Sequence, residues 1–258
     1  MQCVNPSCNE MVCSMSEEVK LFIGTSSNGE DALAEMAYEY SLRKNTESNV
    51  DIVWMKQTND KDDFWYGWDS SRWSTPFSGF RWAIPEYCNF KGRAIYTDVD
   101  MINLRDISDL WNLDIPDDKW MLARDGTRFG GKEFCVILFD CSKFKNNIGL
   151  SADWKIHAPA HHAFMEVFIN KNLVGSLDPR WNCHDGDGLP IDNIWHLHYT
   201  EMATQPWRPS WYIGEQREHP REDLVELFWE YVSEAGQNGY SPRDCCVGEE
   251  VKYNFLGK

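Results

Sequence analysis

Two aspartates one residue apart, Asp98 and Asp100, close the apolar run Ala94-Ile95-Tyr96 in the segment RAIYTDVDM, residues 93 to 101. Like charges so placed repel unless a cation lies between them. Residues two apart on an extended chain face the same side, so both carboxylates are expected to reach one ion. Oxygen donors of this kind suit a hard divalent cation, Mn2+ or Mg2+, which could bridge to a diphosphate. Taken alone, such a pair also serves simply to cap the following turn. A second segment, HYTEMATQPW at 198 to 207, sets His198 at the end of an apolar run and ahead of a proline-fixed loop. Manganese accepts imidazole beside carboxylate, so His198 is a candidate third ligand, in competition with His196, His161 and His162. Spacing does not choose among the four.

Positioning such groups takes a scaffold of buried strands. VKLFIG (19–24) and VDIVWM (50–55) read as strands, with an amphipathic helix expected from Glu30 to Arg43 between them. This β-α-β unit implies parallel strands joined by a right-handed crossover. FSGFRWAIPEYC (77–88) reads as a short helix ahead of the strand that carries Asp98, and LRDISDLW (104–111) as another after it. Strands are expected at WMLAR (120–124), FCVILFD (134–140) and IWHLHY (194–199), and helices at 160–172 and REDLVELFWEYV (221–232). Residues 57–76 read as a loop and 1–17 as a polar, flexible leader.

The chain has 258 residues, enough for one large α/β domain. Its net charge of -16 excludes a nucleic-acid or anionic-membrane surface, though not a nucleotide held through a metal. No segment approaches the length of a membrane span, and the N-terminus lacks the basic start and apolar core of a signal peptide, so a cytoplasmic location is expected. The nine cysteines lack zinc-knuckle spacing and, being odd in number, read as free thiols, with metal binding by Cys3, Cys8 and Cys13 a lesser alternative. Trp54, Trp65, Trp68, Trp73 and Trp82 crowd one region; they fit core packing first and sugar stacking second. GTSSNGE after the first strand is neither a dinucleotide fingerprint nor a P-loop.

Four segments, LFIGTSSNGEDA, TPFSGFRWAIPEYCNFKGRAIYTDVDMINLRDISDLW, FCVILFDCSK and LDPRWN followed by HLHYTEMATQPW, together resemble the GT-A-fold glycosyltransferases of family 8, the glycogenin and galactosyltransferase-like group. The resemblance runs over roughly residues 19 to 210. It implies a single GT-A (Rossmann-like, nucleotide-diphospho-sugar transferase) domain over 18–258, with a mostly parallel central sheet flanked by helices. It further implies Mn2+ or Mg2+ held by Asp98, Asp100 and His198, and a UDP-sugar donor whose sugar passes to a hydroxyl acceptor such as a glycan. By position, Ile23, Gly24 and Thr25 would cradle the nucleobase and ribose, and Val99 would touch the nucleoside through its backbone. Gln205 and Trp207 fall in the family's donor-binding loop. Arg81 resembles an arginine that faces the donor; its alternative is a structural ion pair.

Two departures stand out. Where many members have a lysine before Pro-Trp, this chain has Thr204-Gln205-Pro206-Trp207, leaving the metal, Arg81 or Arg208 to offset phosphate charge. The family's Asp-Gln catalytic pair has no counterpart between 149 and 172, so Asp125, Asp153 and Asp178 are the candidate catalytic carboxylates, Asp125 first because it follows a strand end. The rival readings are a phosphatase of the haloacid dehalogenase type and a non-catalytic carbohydrate-binding protein or inactive transferase relative. The first expects its aspartate pair near the chain start, where this chain has none.

Overall fold

Alternation along the first strand decides which face of the central sheet each side chain meets. In β1 (Val19–Gly24), Leu21 and Ile23 enter one buried cluster and Phe22 enters another. That is the period of two expected of a strand covered on both faces. The computed structural model describes residues 18–127, 130–145, 155, 160–209 and 212–242. The expected leader, Asp153, and the cysteines at 3, 8, 13, 245 and 246 lie outside them.

After β1 the chain continues through α1 (Ala32–Asn45), β2 (Val50–Met55), a 3-10 turn at Phe80–Ala83, α2 (Ile84–Tyr87), β3 (Arg93–Asp98), β4 (Met101–Asn103) and α3 (Ser108–Trp111). It then forms β5 (Met121–Asp125), β6 (Lys132–Asp140), α4 (His161–Asn170), β7 (Val174–Leu177), β8 (Cys183–His184), β9 (His196–His198) and α5 (Glu222–Gln237). The main sheet runs β2-β1-β3-β6-β5-β7. Pairing is parallel between β1 and β2, β1 and β3, and β5 and β7, while β6 lies antiparallel to both its neighbours. Five strands thus point one way, a mostly parallel α/β sheet.

Ile95, Leu122, Val136 and Leu138 face α1 and α5, where Ala37, Tyr38, Leu224 and Phe228 complete the core. Ala94, Tyr96, Ile137 and Phe139 face the other side, against Trp82, Phe80 and α4 residues Phe164 and Phe168. Trp65, Trp68 and Trp82 are buried in this second cluster, so core packing is the role they take. The first helix starts two residues later than the periodicity predicts, and the carboxylate of its N-cap residue Asp31 does not cap it. That carboxylate instead accepts from Trp207 Nε1 at 3.1 Å and Arg208 Nη1 at 3.0 Å.

A second sheet of three short strands, ordered β4-β9-β8, lies beyond the end of β3. Strands β4 and β8 have three and two residues, too few for alternation to reveal them. Their importance is positional, because β9 sets Met101 opposite His198. Among the described residues no helix is long and apolar enough to cross a membrane.

Candidate active site

Three strand ends converge where β3 stops. Register in the main sheet places Gly24, the last residue of β1, beside Asp98, the last of β3. The chain bends at Val99 and Asp100 before entering β4, so the two aspartates are not successive same-side positions on one extended strand. This corrects the expectation from spacing. What brings them to one place is the second sheet: Tyr199 N donates to Asp100 O at 2.9 Å, next to the Met101–His198 pair. His198 Nε2 consequently lies 3.4 Å from Asp100 Oδ1.

Histidine orientation is fixed from behind. His198 is 5% exposed, and its Nδ1 meets Asn182 Oδ1 at 2.9 Å. With Nδ1–H donating there, Nε2 presents its lone pair toward Asp100, the arrangement a metal-ligating imidazole requires. Burial alone would lower the pKa of this ring, and the Asp100 carboxylate more than reverses that, leaving it above the ordinary value. Among the four histidines that the sequence left open, His198 alone sits against the aspartate pair. His196 is buried against Tyr38, and His161 lies at the start of α4, its Nε2 3.0 Å from Ser74 Oγ.

Asp98 is engaged differently. Arg81 Nη2 donates to its Oδ1 at 3.0 Å, and Tyr96 Oη donates to the same oxygen. Arg81 is 4% exposed; its Nε donates to Ser78 O at 2.7 Å, its Nη1 donates to Phe134 O, and its guanidinium lies 4.3 Å from the Tyr96 ring centre. The ion pair offered as the alternative role for Arg81 is therefore present. Arg208, the other cation considered for phosphate, pairs with Asp31 and lies 3.9 Å from Glu30 Oε2. Burial, opposed chiefly by Arg208, pushes the Asp31 carboxyl up to about 6.

Gln205 links this second group to the first. Its Nε2 donates to Asp100 Oδ2 at 3.0 Å and to Tyr199 O at 2.8 Å, while its Oε1 accepts from Arg208. Trp207 is 2% exposed and holds the base of the same loop. On the β1 side, Thr25 Oγ1 donates to Glu35 Oε1 at 2.7 Å. A Cβ at Gly24 would lie 2.6 Å from Phe77 Cδ2, so only glycine fits there. Ile23 is fully buried beneath it, and Val99 is 2% exposed.

Asp100 Oδ1 is buried and has no hydrogen-bond partner among the described residues, yet a histidine nitrogen faces it at 3.4 Å. Buried carboxylate oxygens are rarely left so, and a cation shared with the imidazole would satisfy it. The residues fit a divalent ion.

Asp125 stands elsewhere on the same edge of the sheet. Its side chain is 62% exposed and pairs with Lys132 Nζ at 2.6 Å; desolvation raises its pKa, and hydrogen bonds from Lys132 and Ser176 more than reverse that, leaving it below the ordinary value. Asp178 caps a 3-10 turn and pairs with Arg180. Sequence reasoning missed Asn182, which stands inside the LDPRWN segment but carries no signal of contact with His198. It also missed a polar chain beyond His198: His184 packs 5.5 Å from that ring and reaches Glu133 Oε2 at 2.8 Å, and Arg124 joins Glu133 to Asp187.

No protein-family model matches the chain. A curated relative, Protein CDI of Arabidopsis thaliana, is 24% identical, the alignment covering 77% of this chain and 88% of the relative. Among solved structures, the galactosyltransferase LgtC in complex with donor and acceptor sugar analogs is similar over 84% of this chain and 96% of its own, with a TM-score of 0.57 at 12% identity. This is the GT-A glycosyltransferase fold. The glycosyltransferase GlyE of Streptococcus pneumoniae TIGR4 agrees, at a TM-score of 0.56 and 17% identity over 88% of this chain. The chain spans 65% of GlyE's length. Gly24 and Asp98 lie at the carboxyl ends of β1 and β3, with Asp100 just beyond.

Proposed function

We propose that this chain is a metal-dependent glycosyltransferase, taking a sugar from a nucleotide-diphosphate donor, UDP-linked by resemblance, to a hydroxyl acceptor. The observation that carries the reading is the meeting of Asp98, Asp100 and His198 at the carboxyl end of β3 in a GT-A fold, with an unpartnered buried oxygen on Asp100. Asp98, Asp100 and His198 would hold the divalent ion, Mn2+ or Mg2+ by resemblance. When bound, such an ion supplies Lewis-acid charge neutralisation at a leaving diphosphate.

The protein's own groups carry the rest. Asn182 fixes the His198 ring with Nε2 aimed at Asp100, and Gln205 holds Asp100 by its other oxygen, so both ligands are oriented in advance. Arg81 offsets the charge of Asp98 without leaving the core. The backbone at Ile23, Gly24 and Thr25 offers a ledge for the nucleoside, with the Val99 backbone beside it in the bend after β3. Gln205 and Trp207 close the loop on the opposite side. Asp125, exposed on the same sheet edge, is the carboxylate proposed to act on the acceptor or sugar as base or nucleophile. Burial of Trp65, Trp68 and Trp82 favours core packing over sugar stacking for those three, while Trp54 and Trp73 stay half-buried.

The test is release of nucleoside diphosphate from a panel of nucleotide-sugars with Mn2+ or Mg2+, with and without hydroxyl acceptors. Metal-dependent release from one donor, lost in Asp100→Ala, is the expected result. Neither release nor thermal stabilisation by any donor at saturating metal would overturn the reading.

A further inference from the structure

Cys135 belongs to none of the roles above, yet its place is dictated by the sheet. Strands β3 and β6 are antiparallel, with Thr97 opposite Val136 as their last pair. One step further along that register sets Asp98 opposite Cys135, and directly opposed residues project to the same face with their Cβ atoms about 5 Å apart. The flanking chain is pinned as well, since Phe134 O accepts from Arg81, the same arginine that holds Asp98. A Cys135 Sγ, an Asp98 carboxylate oxygen and a His198 ring nitrogen all lie within 4.8 Å of one another.

We infer that Cys135 is a ligand of the cation at this site, and that its sulfur gives the site a preference for Zn2+ and Co2+ over Mn2+ and Mg2+. This inference rests on the metal-binding reading of Asp98, Asp100 and His198. With Cys135 those residues offer two carboxylates, one imidazole and one thiolate, four donors in all. Four is the coordination number of protein-bound zinc, and the mixture of donors is one zinc accepts. Ligand atoms on a tetrahedral ion at roughly 2.0–2.3 Å stand about 3.4–3.7 Å apart. His198 Nε2 and Asp100 Oδ1 already have that separation, at 3.4 Å. Asp98, Cys135 and His198, whose ligand atoms lie within 4.8 Å of one another, need to close by about 1 Å, and Asp100 joins them through His198.

Donor chemistry decides the selectivity. Mg2+ and Mn2+ favour oxygen donors, whereas thiolate favours softer ions. Charge also balances: two carboxylates and a thiolate bring three negative charges, met by a divalent ion and the adjacent Arg81 guanidinium. On binding, the S–H proton passes to solvent as the metal–sulfur bond forms, and no oxidation state changes. Register, not a loop, holds Cys135 there, so the thiol needs no rearrangement of the backbone to reach the ion.

The test uses the full chain with Cys3, Cys8, Cys13, Cys245 and Cys246 changed to Ser, so that other thiols outside the described core do not bind the probe. After chelation and dialysis, Co2+ is added alone and the near-ultraviolet thiolate-to-cobalt charge-transfer band is read. The band is expected, and is expected to vanish in Cys135→Ser. Zn2+ affinity should fall at least about tenfold in that variant, with Mn2+ affinity within a factor of about three. If Cys135→Ser fails to fold, X-ray absorption at the zinc edge of the Cys135-containing protein answers the same question. One sulfur at about 2.3 Å is expected beside oxygen and nitrogen at about 2.0–2.1 Å. Cation binding that depends on Asp100 but shows no sulfur in either experiment overturns the inference and leaves the donor site standing. Absence of any cation binding, or binding unaffected by Asp100→Ala, overturns both.

Discussion

Truncating Asp98 should cost far more stability than truncating Asp100, although the two belong to one motif. The Arg81 and Asp98 side chains are 5% and 14% exposed and 3.0 Å apart. Removing one member of a buried pair typically costs about 3–5 kcal/mol, because the other charge is left without compensation. Arg81 would keep its bonds to Ser78 O and Phe134 O and its contact with the Tyr96 ring, which points to the lower end, about 3 kcal/mol. In a chain of this size that is roughly 6–12 °C in melting temperature. Asp100 Oδ1 has no hydrogen-bond partner among the described residues and Oδ2 accepts from Gln205. Asp100→Ala should therefore cost only about 1 kcal/mol. The assay is guanidinium unfolding in the presence of chelator, on Asp98→Ala, Arg81→Met and the double variant. The double variant should recover about 2 kcal/mol relative to the sum of the singles. A coupling energy below about 0.5 kcal/mol, or equal losses for Asp98→Ala and Asp100→Ala, would refute the assignment of Arg81 as the buried partner of Asp98.

Three further outcomes follow from other parts of the site and core. Gly24→Ala places a Cβ 2.6 Å from Phe77 Cδ2 and 3.0 Å from Tyr96 Oη. The overlap should cost about 1–3 kcal/mol and weaken metal affinity through the Tyr96–Asp98 bond; a variant matching wild type in melting and metal titration would contradict it. Burial lowers His196 to about 3 and His161 to about 2. Below the ordinary value of 6.5 the unfolded chain takes up those protons while the folded chain does not. Stability should then fall as pH drops from 6.5 toward 3, each histidine adding a slope of up to about 1.4 kcal/mol per pH unit. His196→Phe, which removes two ring nitrogens without hydrogen-bond partners among the described residues, should flatten that slope by about one such increment. An unchanged slope between pH 6 and 4 would rule this out. Asp125→Asn breaks a pair in which the aspartate is 62% exposed and should leave unfolding free energy within about 1 kcal/mol of wild type. A larger loss would show that Asp125 is structural, and wild-type donor turnover would end its proposed catalytic role.

Legibility followed the length of the patterned runs. The β1-α1-β2 unit and the strand before Asp98 could be read because six-residue apolar strands and a 14-residue helix repeat their periods often enough to register. Strands β4 and β8 could not, since two or three residues carry no period. Missing β4 had a consequence for the site. It left Asp98 and Asp100 on one imagined extended strand, when the chain in fact bends between them and β9 delivers His198 to Asp100. Cys135 was visible only as one thiol among nine, because nothing in FCVILFD shows that β6 runs antiparallel to β3. Arg208 was legible as a cation near the donor loop. Its burial against Asp31, a contact across 177 residues, was not.

The most direct test is calorimetric titration of UDP into the protein with and without a divalent cation, repeated on Asp100→Ala. The account predicts UDP binding that requires the cation, disappears in Asp100→Ala, and leaves that variant's unfolding transition within about 1 kcal/mol of wild type. Binding of equal strength in chelator, or none in the presence of any divalent cation, would contradict a metal-diphosphate site at the end of β3.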